Sequence, residues 1–117
     1  MKQEDKELLL KDLCSRLPYG VKGNYQNSDD ELLRKITITY RYLEPNGMVM
    51  TGDIKPYLFP LSNMTDKQYR EFLSTCNGYC DYYWTDETFD WLNENHFDYR
   101  DLIEKGLAID ATGLNIY

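Results

Sequence analysis

The stretch KITITYRYLEPNGMVMTGDIKPYLFPL, residues 35–61, decides what kind of sheet this chain can form. Its first nine residues, 35–43, are rich in β-branched and aromatic types. Ile36, Ile38, Tyr40 and Tyr42 fall on one side and Thr37, Thr39 and Arg41 on the other, which is the period of a strand. Glu44-Pro45-Asn46-Gly47 follows, with proline preset for the second turn position and glycine free to take positive φ, as in bulged hairpins. Residues 48–54 are therefore expected to return antiparallel. Pro56 and Pro60 then deny both helix and interior strand to KPYLFPL. Because Tyr57, Leu58, Phe59 and Leu61 are strongly apolar, that segment is expected to cross the core in extended form.

Helices flank this stretch on both sides. Leu10, Leu13, Cys14 and Leu17 recur at i, i+3, i+4 and i+7, one face of an amphipathic helix over residues 4–17 that Pro18 and Gly20 stop. Ser28 with Glu31 three residues on fits either the cap of a single helical turn or a polar loop. Thr65 and Gln68 make a capping box, and Tyr69, Phe72, Leu73 and Cys76 repeat the helical spacing until Asn77-Gly78. YCDYYW, residues 79–84, reads as a short aromatic strand. Thr85 caps a third helix, with Asp86 and Glu87 where carboxylates favour the positive helix end, and Phe89 and Leu92 pointing inward. Asp98 with Asp101 can start a short turn of helix through Leu102 and Ile103 that Gly106 ends. The tail LAIDATGLNIY keeps enough apolar residues to pack or pair. The expected fold is α+β, three main helices on a small antiparallel β-sheet, with residues 1–117 forming a single domain.

A chain of 117 residues is too short to divide into two cores, and its 42% hydrophobic and 15% aromatic content is enough to build one. The balance of 20 acidic against 13 basic residues gives a net charge of −7, which disfavours phosphate backbones and anionic lipid. The expectation is no nucleic acid and no membrane. Acids and bases are interleaved, so most of the charge reads as a solubilising surface. Charges interrupt the leucine run of MKQEDKELLLKDLCSR, no signal-peptide core is formed, and a cytoplasmic location is expected. Cys14, Cys76 and Cys80 are then expected as thiols.

Candidate chemistry is sparse. A zinc-stabilised fold would use Cys76-x3-Cys80 with Cys14 and His96, but standard sites pair short-spaced ligands and only one such pair is local. Cys14 and Cys76 each fall on an apolar helical face, where cysteine acts as a small hydrophobe. A small enzyme would place its site near His96, Asp98 and Asp110. Asp86, Asp90 and Glu94 form an acidic stripe whose mutual repulsion is only about 0.2–0.5 kcal/mol per pair, so it reads as a solvated face. The glycines match no phosphate-cradling motif, and no catalytic residues and no cofactor are assigned. The unusual feature is eleven tyrosines, crowded as Tyr40/Tyr42, Tyr79/Tyr82/Tyr83 and Tyr99/Tyr117. Tyrosine gives large contact area at little entropic cost, which makes Tyr79, Tyr82, Tyr83 and Trp84 the candidate binding surface.

RLPYGVK (16–22), IKPYLFPLSNMT (54–65) and DWLNENHFDYRDLIEKGLAIDATGLNIY (90–117) resemble a set of small uncharacterised proteins from gut Bacteroidetes and their phages or mobile elements. The resemblance implies a cytoplasmic accessory protein and supplies no reaction. The functional expectation is a noncatalytic protein acting through protein-protein interaction on an acidic, tyrosine-rich surface. An unidentified protein or a second copy in a homodimer would be its partner.

Overall fold

Residues Ile54–Pro60 form the strand around which everything else is arranged, in a computed structural model that describes residues 1–26, 29–81 and 83–117. The described elements, in chain order, are α1 (Gln3–Arg16), β1 (Lys22–Tyr25), β2 (Ile36–Thr37), β3 (Ile54–Pro60), α2 (Asp66–Ser74), α3 (Asp86–Glu94), β4 (Phe97–Asp98) and β5 (Ile109–Asp110). Short 3-10 turns fill several of the connections. The fold is α+β, as the pattern predicts, but the sheet is mixed and not antiparallel. β1 pairs antiparallel with β2 and with residues 54–56 of β3, whereas β5 and β4 run parallel to residues 57–58 and 59–60.

That register explains how two prolines occupy the central strand. Each part of β3 is matched to a different short partner, with Pro56 opposite Gly23 and Pro60 at the strand's end. A continuous two-sided ladder would need every N–H, and proline would break it. Here the ladder is divided among three partners, so the expectation that Pro56 and Pro60 exclude an interior strand is corrected. Gly23 contributes by omission: a Cβ there would lie 2.8 Å from Ile54 Cγ2 and 3.0 Å from Ile38 Cδ1.

The long strand expected over residues 35–43 shrinks to Ile36–Thr37, followed by a 3-10 turn at Tyr40–Leu43. Ile38 is buried while Tyr40 is 65% exposed, so the alternation that suggested a strand does not mark one continuous face. Of residues 48–54, expected to return as a strand, only Ile54 enters one, as the first residue of β3. Residues 48–52 coil in successive turns that bury Val49 and Met50, and the Val49 N–H to Tyr42 C=O bond (3.1 Å) keeps the hairpin's geometry. Ser28 lies outside the described residues; the turn Glu31–Arg34 is capped by Asp30, whose side chain accepts from the Leu32 N–H.

The main core joins Leu9 and Leu13 of α1 to Val21, Ile38, Leu43, Val49, Met50, Ile54, Leu58, Leu102 and Leu107. A smaller cluster of Tyr57, Ala111 and Ile116 carries the C-terminal tail. Each fully buried Leu or Ile contributes roughly 1.5–3 kcal/mol, enough for this core to hold short strands that would not persist alone. On α1 the buried face is Leu9, Asp12, Leu13 and Arg16, one step round from the expected stripe, so Leu10 and Cys14 are exposed. The reason is an ion pair inside the core: Arg16 Nε donates to Asp12 Oδ2 at 2.7 Å, and its Nη2 donates to Asp12 Oδ1 and to Phe97 C=O.

The two later helices start where capping chemistry places them. Thr65 with Gln68, and Thr85 with Thr88, each close a reciprocal capping box. Asp98 holds the backbone amides of Arg100, Leu102 and Ile103 on its carboxylate, which forms the expected turn without a full helix. No helix among the described residues is long and apolar enough to cross a membrane.

Candidate functional site: an aromatic and acidic face

The described residues between α2 and α3 form no strand, which corrects the reading of YCDYYW. Turns cover residues 75–78 and 80–81, and Asn77 and Gly78 both take positive φ (51° and 82°), reversing the chain at the end of α2. The Gly78 N–H returns to Leu73 C=O at 2.9 Å, satisfying one of the helix's free carbonyls. The reversal sends Tyr79 and Tyr83 outward. The Tyr83 N–H donates to Tyr79 C=O at 3.2 Å, and their rings lie nearly parallel, centroids 6.4 Å apart at 12°. Both remain more than half exposed, at 55% and 53%.

Trp84 does a different job. Its indole N–H donates to Cys80 C=O at 3.0 Å, and its ring meets Phe72, Phe89 and Tyr99 edge-on. Edge-to-face contacts are the favoured arrangement for such quadrupoles, so Trp84 anchors the segment against both helices. Tyr82 lies outside the described residues. Of the four residues expected to bind, two are therefore displayed, one supports them, and one is not described.

Below the indole, three threonines lock the two ends of the segment together. The Thr85 hydroxyl donates to Thr75 C=O at 3.0 Å, and the Thr75 hydroxyl reaches Thr88 Oγ1 at 3.0 Å. Cys76 and Cys80 are joined as a disulfide with Cα atoms 5.4 Å apart, where the sequence reading expected thiols. Cys14 is the free cysteine, exposed on α1.

Exposed acidic residues lie along this segment and on α3. Asp81, Asp86, Glu87, Asp90 and Glu94 are all exposed, and Asp81 lines a shallow depression with Cys80, Tyr83, Trp84 and Phe89. Phe89, expected to point inward, is exposed enough to line it, while Leu92 is fully buried. The same phenyl ring also borders a groove of about 730 Å³ between α1 and α3, whose walls include Lys11, Cys14, Asp86, Asp90, Tyr99 and Arg100. The Tyr99 ring has the Arg16 and Arg100 guanidinium groups each 5.0 Å from its centroid.

Apart from Cys14, the residues of the two alternative sites have other partners among the described residues. No group of three His, Cys, Asp or Glu residues among the described residues is placed to hold a metal ion. Asp98 is committed to capping amides, and Asp110 accepts from the Thr112 N–H and hydroxyl at 2.9 and 2.6 Å. His96 is stacked on Tyr117. Its pKa falls to about 4, chiefly through burial, with the positive charges of Arg16 and Lys22 adding to the effect. Such an imidazole is neutral near pH 7 and is used in packing.

Comparison with protein-family models, with curated proteins and with solved structures finds no match to this chain.

Proposed function

We propose that this chain is a noncatalytic interaction protein that binds a basic segment of a protein partner on the Tyr79–Tyr83 face. The observation that carries this reading is the pair of stacked, half-exposed phenol rings, with the Asp81 carboxylate beside Tyr83 at the surface depression. Exposed aromatic rings attract guanidinium and ammonium groups by about 0.5–1 kcal/mol each, and arginine also stacks its plane on them. Asp81 and the exposed carboxylates of α3 add long-range attraction that speeds encounter and rejects acidic surfaces. A net charge of −7 extends that field over the molecule. The resemblance to small Bacteroidetes and phage proteins makes the natural setting a bacterial cytoplasm, with an accessory role for the chain.

Titration of a fluorescently labelled Arg/Lys-rich peptide tests the reading. Tyr79→Ala and Tyr83→Ala should each weaken binding several-fold at both low and moderate salt, because ring contacts survive screening. Asp86→Asn with Asp90→Asn should weaken it mainly at low salt. Unchanged affinity in the double tyrosine variant would rule out this face. Self-association that the same variants abolish would make a second copy the occupant instead.

A further inference from the structure

We propose that Cys76 and Cys80 form a reversible redox clip that orders the Tyr79–Tyr83 face when oxidised and releases it when reduced; this rests on the binding role given above to that face.

The clip lies at the base of the segment it would control. Cys76 directly follows the C-terminal cap of α2, and Cys80 lies between the two displayed tyrosines in sequence. Among the described residues of this segment, the backbone bonds nearest the apex are local: Tyr79 N–H to Cys76 C=O at 2.9 Å, and Tyr83 N–H to Tyr79 C=O at 3.2 Å. Trp84 and the threonines hold the far end. At the near end, the sulfur–sulfur bond is the covalent tie between Cys80 and the end of α2. Breaking it leaves the apex at Tyr79 dependent on a few exposed backbone bonds, the kind that open most easily.

Both redox states have a place for the sulfurs. Cys80 Sγ is 3.4 Å from Phe72 C=O and Cys76 Sγ is 3.6 Å from Leu73 C=O, so each thiol in the reduced protein has a helix carbonyl to donate to. Thiol donors are weak, which makes the reduced arrangement looser without leaving a buried group stranded. Both cysteines are buried, at 1% and 8% exposed, so exchange requires a local opening of the turn. Cys80, at the edge of the surface depression with Tyr83 and Trp84, is the sulfur such an opening uncovers first. The exchange balances with a dithiol reductant. A thiolate of the reductant attacks one sulfur and forms a mixed disulfide; its second thiolate then displaces that sulfur. The S–S bond becomes two thiols as the reductant becomes a disulfide. Oxidised glutathione drives the reverse, releasing two molecules of reduced glutathione.

Amide hydrogen exchange on the full chain, after equilibration with either oxidised glutathione or dithiothreitol, tests this directly. Reduction should speed exchange at Tyr79 and Tyr83 by about tenfold, the scale expected for opening a short covalent ring, while amides of α1 stay unchanged. The Arg/Lys-rich peptide should bind the reduced protein several-fold more weakly. Cys14→Ser should keep the full response, and Cys76→Ser with Cys80→Ser should behave as reduced protein under both conditions. Two free thiols at Cys76 and Cys80 after glutathione treatment, or identical exchange in both states, would overturn the clip while leaving the tyrosine variants to decide the binding face. A redox-dependent exchange change with no change in peptide affinity would retain the bond as structural and remove its control over binding.

Discussion

The imidazole of His96 lies flat on the phenol ring of Tyr117, with centroids 3.6 Å apart and planes within 11°. This contact joins the residue before β4 to the far end of the tail, and the Tyr117 hydroxyl completes the junction by donating to Tyr57 C=O and accepting from the Lys22 N–H, both at 2.8 Å. One side chain therefore ties the tail to β1 and β3 together.

The pair sets two limits on stability. His96 has its pKa lowered from 6.5 to about 4 by burial first and then by Arg16 and Lys22. The unfolded chain accepts its proton before the folded one does, so the contribution is complete above 6.5 and is lost as pH falls toward 4. Tyr117 has its pKa raised from 10.0 to about 12, mainly by burial. The unfolded phenol ionises first, so that contribution is lost as pH rises between those values. Urea unfolding should show His96→Asn flattening the acid limb by ~2 kcal/mol, a figure reduced from the full shift because the ring is only partly buried. Asparagine suits the test because His96 has φ of 62°, which asparagine tolerates. Tyr117→Phe should flatten the alkaline limb and cost about 1–2 kcal/mol at neutral pH through its lost hydrogen bonds. Parallel pH profiles for variant and wild type would contradict the assignment.

A second prediction concerns the ion pair in the core. Asp12 is fully buried, accepts two bonds from Arg16 and a third from Arg100 Nε at 3.2 Å. Asp12→Ala strands a buried guanidinium and should destabilise the protein by about 3–5 kcal/mol in denaturant unfolding. Replacing both partners with apolar residues, Asp12→Leu with Arg16→Met, should recover most of that loss. A double variant as unstable as the single one would show that the Arg16 bond to Phe97 C=O matters more than the pair.

How far the sequence could be read follows from where each signal lives. α2 and α3 were legible because capping is a local device: the Thr65–Gln68 box and the Thr85 cap form whatever the rest of the chain does, while the part of Thr88 in closing the second box shows only in the structure. The buried face of α1 lies one step round from its periodicity because Asp12 and Arg16 look like surface residues apart from the two-point pairing of the carboxylate with Nε and Nη2. Residues 35–43 have strand composition, but strand length depends on what neighbours supply, and β1 offers partners only to Ile36 and Thr37. Pro56 misled for the same reason in reverse. Crowding of tyrosines marked the candidate face, whereas the stacking of Tyr79 on Tyr83 and the Cys76–Cys80 bond depend on the turn at Asn77-Gly78, whose direction periodicity does not encode.

A third prediction tests the turn that replaces the expected hairpin. Gly47 lies under Tyr42, where an added Cβ would sit 2.5 Å from the carbonyl oxygen and 2.6 Å from its carbon. Backbone cannot swing aside as a side chain can, so Gly47→Ala should cost about 1–3 kcal/mol in thermal or urea unfolding. An alanine variant as stable as wild type would mean that residues 42–47 approach less closely in solution.

The last prediction links stability to the proposed binding face. Thr88 is fully buried, and its hydroxyl oxygen is shared by the Thr85 N–H at 3.1 Å and the Thr75 hydroxyl at 3.0 Å. Thr88→Val keeps the shape of the side chain and removes that acceptor, leaving the Thr85 amide short of its cap. The expected cost is about 1–3 kcal/mol, the range for a buried donor left unpaired. Because Thr85 also holds Thr75 C=O, the loss should spread along residues 75–85. Trp84 should then show altered fluorescence, and the labelled basic peptide should bind more weakly in proportion. A variant that loses stability but binds the peptide with wild-type affinity would separate the threonine lock from the aromatic face and place the binding contacts elsewhere on the surface.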